Sequence, residues 1–151
     1  MVRSLQGKHP NYYESLLQLR DVTAEVIDFT EDEIERIHLP VSKHKKVIGG
    51  MDYYCSDNNL TRALGKTLQD RFGGELKITA TLHTKKNDKD LYRTTVLFRE
   101  AHFCKDDKVK YYGEEYVIKR MSKDIFLQNT KTGEKLHLKY KDMNLIKKSI
   151  D

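Results

Sequence analysis

The chain has 151 residues, 38% of them hydrophobic and including nine Tyr and five Phe, which is enough for one ordinary domain or two small ones with packed cores. No run approaches the ~20 apolar residues a bilayer span needs, and the start, MVRSLQGKHP, lacks the apolar stretch of a signal peptide, so a cytoplasmic protein without membrane contact is expected. Two cysteines are too few for a disulfide framework, and the charge is uneven: residues 1–74 carry ten basic and eleven acidic side chains, net −1, while residues 75–151 carry eighteen and twelve, net +6, the one-sided field that binding to a phosphate backbone uses.

In chain order, NYYESLLQLR at 11–20 alternates Tyr13, Ser15, Leu17 and Leu19 and predicts a strand. Phe29-Thr30-Glu31-Asp32-Glu33-Ile34 reads as a helix start, with Thr30 as N-cap, Glu33 as capping-box partner, and Phe29 and Ile34 as hydrophobic staple; Pro40 stops that helix early. Residues 41–48, with Lys43, His44, Lys45 and Lys46, read as a solvated basic loop.

The stretch from Gly49 to Gly74 is the most clearly punctuated. Residues 51–55 predict a strand and Ser56 or Asp57 a cap. Leu60, Ala63, Leu64, Thr67, Leu68 and Phe72 then predict one apolar helical stripe, ended by Gly73 and Gly74. Leu76, Ile78, Ala80 and Leu82 alternate as a half-buried strand. Its partner at 91–99 puts Tyr92, Thr94, Val96 and Phe98 on one face, with 84–90 as the exposed tip between them. The expected unit is α+β, a two-layer β-α-β-α-β-β domain over residues 9–101.

From Cys104 the texture changes to short strands and frequent turns. Strands are expected at 109–111, 115–120, 125–129 and 135–138, then one helical turn at 140–144 and a last strand at Leu145 and Ile146. Their even spacing predicts a small SH3-like all-β barrel over residues 104–148.

No catalytic constellation emerges, so the chain is not expected to be an enzyme or to hold a cofactor or metal. The six histidines are scattered one per element without a metal-ligand pair, and Cys55 and Cys104 read as buried thiols. Glu31, Asp32, Glu33 and Glu35 read as complements to a positive helix end. What remains is basic residues at exposed places: Lys85, Lys86 and Lys89 on the hairpin tip, Arg93 and Arg99 on a strand face, and Lys119, Arg120 and Lys123 around a barrel turn, with Lys131 and Lys139 beside it. These are the candidate RNA contacts. Tyr92, Tyr111, Tyr112, Tyr116 and Tyr140 stand near them as candidates for stacking on unpaired bases. Two basic patches on one chain would act as a bivalent binder. A protein-protein interaction module or a general RNA-binding module are the competing readings, and binding that survives high salt would mark the first of these.

The order of YYESLLQLR, a capped acidic helix, GGMDYYCSDNNLTRALGKTLQDRFGG, the strands of KITATLHTKKNDKDLYRTTVLFR, and DKVKYYGEEYVIKRMSKDIFLQNTKTGEKLHL resembles the archaeal branch of the Nmd-three family, the large ribosomal subunit export adaptor. The resemblance implies a first domain similar to a large-subunit ribosomal protein of the L22e type and a second portion similar to the SH3-like half of translation factor five-A. It also implies a monomeric, non-enzymatic protein that binds the joining face of the large ribosomal subunit and its rRNA, near ribosomal proteins at the transfer-RNA sites, in biogenesis or anti-association. The paired-cysteine zinc modules that precede the YYE strand in the family are not in this sequence, which makes the chain a fragment or a member lacking them. The sequence after Ile146 has no long tail with nuclear transport signals, so movement between compartments is not implied.

Overall fold

The computed structural model describes residues 12–86 and 89–149, with the side chains of 83–90 outside the description. Its first half builds β1 (Ser15–Arg20), α1 (Ala24–Arg36), β2 (Val41–Val47), β3 (Gly50–Cys55), α2 (Asn58–Phe72), β4 (Gly74–Lys86) and β5 (Lys89–Glu100). These strands form one sheet in the order β2-β3-β1-β5-β4, parallel only between β1 and β5. Alternate residues of the strands, Leu17 and Leu19, Tyr53 and Cys55, Val96 and Phe98, enter one core with Val26 of α1 and Leu64 and Leu68 of α2. Phe29 and Phe72 join the two helices edge to face at 5.4 Å.

Several details of this half differ from the local signals. The first helix starts at Thr23, not Thr30, which lies buried in mid-helix and donates its hydroxyl to the Val26 carbonyl at 2.7 Å. The apolar stripe of Val22, Val26, Phe29, Ile34 and Ile37 runs through the apparent capping box and overrides it. The acidic residues therefore sit in the second half of α1: Glu33 holds Arg36 at 2.8 Å, and Glu31 accepts the Tyr53 hydroxyl at 2.8 Å. The segment read as a basic loop is the edge strand β2, so the order is β-α-β-β-α-β-β. Its exposed Lys43, Lys45 and Lys46 suit an edge, where charge discourages pairing with another chain.

Asp57 caps α2, its carboxylate accepting the Leu60 N–H at 2.9 Å. The stripe that α2 buries is Thr61, Leu64, Gly65 and Leu68; Ala63 and Thr67, expected inside, are exposed. Gly65 sets that rotation, because a Cβ there would stand 2.5 Å from Val96 Cγ1 and 2.9 Å from Leu76 Cδ1. Beyond the end of α2 the β4–β5 ladder continues uncovered to the pair Lys86 and Lys89, so the expected tip is largely paired strand and Leu82 is 55% exposed.

The second half builds β6 (Lys108–Tyr111), β7 (Glu114–Met121), β8 (Ile125–Asn129), β9 (Lys135–Leu138), a 3-10 helix (Tyr140–Leu145) and β10 (Ile146–Lys148), each close to its expected place. The sheet order is β10-β6-β7-β8-β9, antiparallel throughout, around a core of Val109, Ile118, Ile125, Leu127 and Ile146. It is not a closed barrel: β9 and β10 are its two edges and do not pair. Between them the 3-10 helix lays Tyr140 and Met143 into the core, closing the layer by side chains instead of hydrogen bonds. Among the described residues no helix is long and apolar enough to cross a membrane.

Gly65→Ala tests the fit of α2 on the sheet. Alanine is intrinsically better in a helix by about 1 kcal/mol, but overpacking against Val96 and Leu76 costs about 1–3 kcal/mol. The variant is expected to unfold at lower denaturant, and an unchanged or raised midpoint would show that α2 does not press on the sheet there.

Candidate nucleic-acid interface

The alternation that fills the second core also fixes its outer face. Ile118, Ile125, Leu127 and Leu138 point inward, so Phe126, Gln128, Lys135 and His137 lie on the other side of the sheet. The register of β7 against β8 shifts between Ile118 and Arg120, and this bulge leaves the consecutive cations Lys119 and Arg120 both exposed. Together these residues line an open groove of about 440 Å³.

The turn from β7 to β8 adds exposed Lys123 at one end of this face, closed by the Ser122 N–H donating to the Asp124 carbonyl at 3.0 Å. Leu138 pairs with Ile125, so Lys139 leaves β9 at the same end. Lys131 does not belong to the group: it lies in the β8–β9 turn, at the far end of β8, where the Asn129 side-chain oxygen accepts its N–H at 2.8 Å. Lys119, Lys123 and Lys139 make no ion pair with another described residue.

The arginines of the first sheet are placed differently. Arg93 lies 3.9 Å over the Tyr13 ring and donates from Nε to the Tyr13 carbonyl at 3.2 Å. Arg99 pairs with Asp21 and, at 3.6 Å, with Glu75. Both guanidinium groups are thus engaged by their own fold. The side chains of Lys85, Lys86 and Lys89 lie outside the described residues. Of the five tyrosines considered for stacking, Tyr92 and Tyr112 are exposed and Tyr111 half-buried, whereas Tyr116 and Tyr140 are core residues. Burial pushes the Tyr140 hydroxyl up to about 12.

Cys55 is buried in the first core, and burial pushes its thiol up to about 12. Cys104, expected to be buried too, is exposed on the loop before β6, where its N–H donates to Asp107 at 2.9 Å. The residues that sequence reasoning passed over are Phe126 and His137. Their outward placement was implicit in the alternation of β8 and β9, but nothing local distinguishes an outward Phe from a core one.

Fold and face define a mixed α+β protein with a cationic sheet surface. Residues 12–99 match the family model described as NMD3, second domain, and because this is more than half of the sequence, the chain belongs to the NMD3 family. That family is associated with the large ribosomal subunit. The match ends within β5, so the outer face of the second sheet lies beyond it. No curated protein matches the chain.

Arg99→Ala separates fold from interface. With the Arg99 side chain 32% and Asp21 57% exposed, solvent screening limits the loss to about 1 kcal/mol or less. A slightly lower unfolding midpoint with RNA affinity unchanged is expected; a large loss of affinity with the midpoint unchanged would make Arg99 a contact.

Proposed function

We propose that the protein binds the joining face of the large ribosomal subunit near its transfer-RNA sites, contacting rRNA, and serves subunit biogenesis or anti-association as a cytoplasmic, monomeric, archaeal-type family member. It acts by occupying a surface and catalyses no reaction. Residues 9–101 form the part similar to the L22e-type ribosomal protein. Residues 104–148 form the SH3-like part, a reading supported by the return of β10 to pair with β6 after the four-strand meander β6 to β9. Ribosomal proteins bordering the transfer-RNA sites are the neighbouring partners.

The observation that carries the reading is the concentration of free cations at one end of the second sheet, in a chain whose family is associated with the large subunit. Lys119, Lys123 and Lys139 stand together there beside Arg120, whose guanidinium lies over the Phe126 ring, on the half of the sequence that holds all of the surplus charge. Counterion release makes such a cluster attract any phosphate backbone, so the contact is electrostatic and needs no base-specific groups. Lys85, Lys86 and Lys89 would make a second contact at the hairpin end, and Lys131 a separate one at the far end of β8.

The test is co-sedimentation of the chain with purified large subunits. Replacing Lys119, Lys123 and Lys139 together with Glu is expected to lower binding at least about tenfold, with an unfolding temperature close to that of the parent, since exposed charges contribute little to stability. Equal binding by the triple variant would remove this end of the sheet from the interface.

A further inference from the structure

Three side chains on three adjacent strands stack across the outer face of the second sheet. Arg120 on β7 and His137 on β9 are both direct register partners of Phe126 on β8. The guanidinium carbon of Arg120 lies 5.3 Å from the centroid of the Phe126 ring. The imidazole of His137 lies 4.6 Å from that centroid and 13° from parallel. Because these neighbours come from the strands on either side of β8, both faces of the phenyl ring are occupied. The imidazole has a free face: β9 is the edge of the sheet, the His137 side chain is 55% exposed, and the ring face turned from Phe126 looks out past that edge.

The ring is also held still. His137 Nε2 is 2.8 Å from the Asp124 carboxylate, a bond from β9 to the β7–β8 turn that fixes the imidazole upright. Lys119 on β7 and Lys135 on β9 line the same groove as the stack. An aromatic face that is exposed, immobilised, backed by a cation and set in a groove with lysines has the properties of a platform for a nucleobase. A duplex keeps its base faces covered by neighbouring pairs, so the matching ligand is an unpaired base with phosphates on either side. A purely structural stack would need neither the free face nor the anchoring bond at the sheet edge.

We propose that His137, backed by Phe126 and Arg120, is the stacking platform for one unpaired RNA base, whose flanking phosphates meet Lys119 and Lys135. This rests on the RNA-binding reading above and adds to it a preference for single-stranded RNA that charge alone does not give.

The test uses the whole chain and an oligoadenylate of about ten nucleotides, of the order of one site on a single-strand binder, carrying 2-aminopurine at its centre, alone or annealed to its complement. The unpaired probe is expected to bind about tenfold more tightly than the duplex, with quenched fluorescence, the effect of about one base–aromatic stack. His137→Ala should remove both the quenching and the tenfold preference while leaving the dependence on salt unchanged. His137→Phe should restore the quenching and part of the preference, since it keeps a ring face against Phe126 but cannot make the bond to Asp124. The proposal is overturned if His137→Ala binds the unpaired probe as the parent does, or if His137→Phe behaves like His137→Ala. Salt-dependent subunit binding with no preference for the unpaired probe would likewise sink the platform alone, whereas failure of the parent to bind either RNA or subunits would sink the function proposed above.

Discussion

The two sheets meet where there is no room for a side chain. Gly73 ends α2 with φ +78°, donating its N–H to the Gln69 carbonyl at 2.9 Å and accepting the Ala101 N–H at 3.0 Å, and a Cβ on it would come within 2.7 Å of Met121 Cε and 3.6 Å of the Tyr140 hydroxyl. At Gly74 a Cβ would stand 2.2 Å from the Arg99 carbonyl oxygen. Helix end, the start of β4, the end of β5 and two residues of the second core all converge on these glycines. A larger residue at either position would press Met121 and Tyr140 away from α2 or part β4 from β5. The second sheet thus packs against the end of α2 through Met121 and Tyr140.

Charge is divided between the sheets in a way that the sum conceals. On the first sheet the guanidinium groups are used internally, Arg20 against Asp52 at 2.7 Å, Arg93 over Tyr13 and Arg99 against Asp21 and Glu75. On the second sheet the lysines of the outer face and of the β7–β8 turn stand in solvent. A cation already paired releases few counterions from RNA, whereas a free one contributes its full share. The arginines of the first sheet thus serve its own packing, and its exposed cations include the lysines of the edge strand β2.

Much of this was legible in the sequence. The Asp57 cap, the Gly73 stop, the strand at 91–99 and the four strands from β6 to β9 lie where period and turn residues put them, while the last strand starts at Ile146 because Leu145 ends the 3-10 helix. What failed did so because tertiary packing overrode a local signal. Thr30 looks like a cap, yet the apolar stripe behind it carries the helix through; Val41–Val47 looks like a basic loop, yet β3 offers it a pairing edge. The even strand spacing predicts a small SH3-like barrel, but the sheet is open and Tyr140 and Met143 fill its core. At the candidate interface the cations were visible as residues but not as a cluster. The β7 bulge that exposes Lys119 beside Arg120, the opposite placement of Lys131 and the Phe126–His137 stack depend on register, which no single strand encodes.

As proposed above, the chain would hold the large ribosomal subunit through phosphates. The most direct test is the affinity of the intact chain for purified large subunits measured across a range of salt. Each phosphate contact contributes a slope of about −0.7 to −0.9 to the logarithm of affinity against the logarithm of salt, so the cluster on the second sheet alone predicts a slope of about −2 to −4, and contacts at the hairpin end make it steeper. A slope near zero with affinity intact would mean that an apolar protein surface, and not RNA, is what the chain binds.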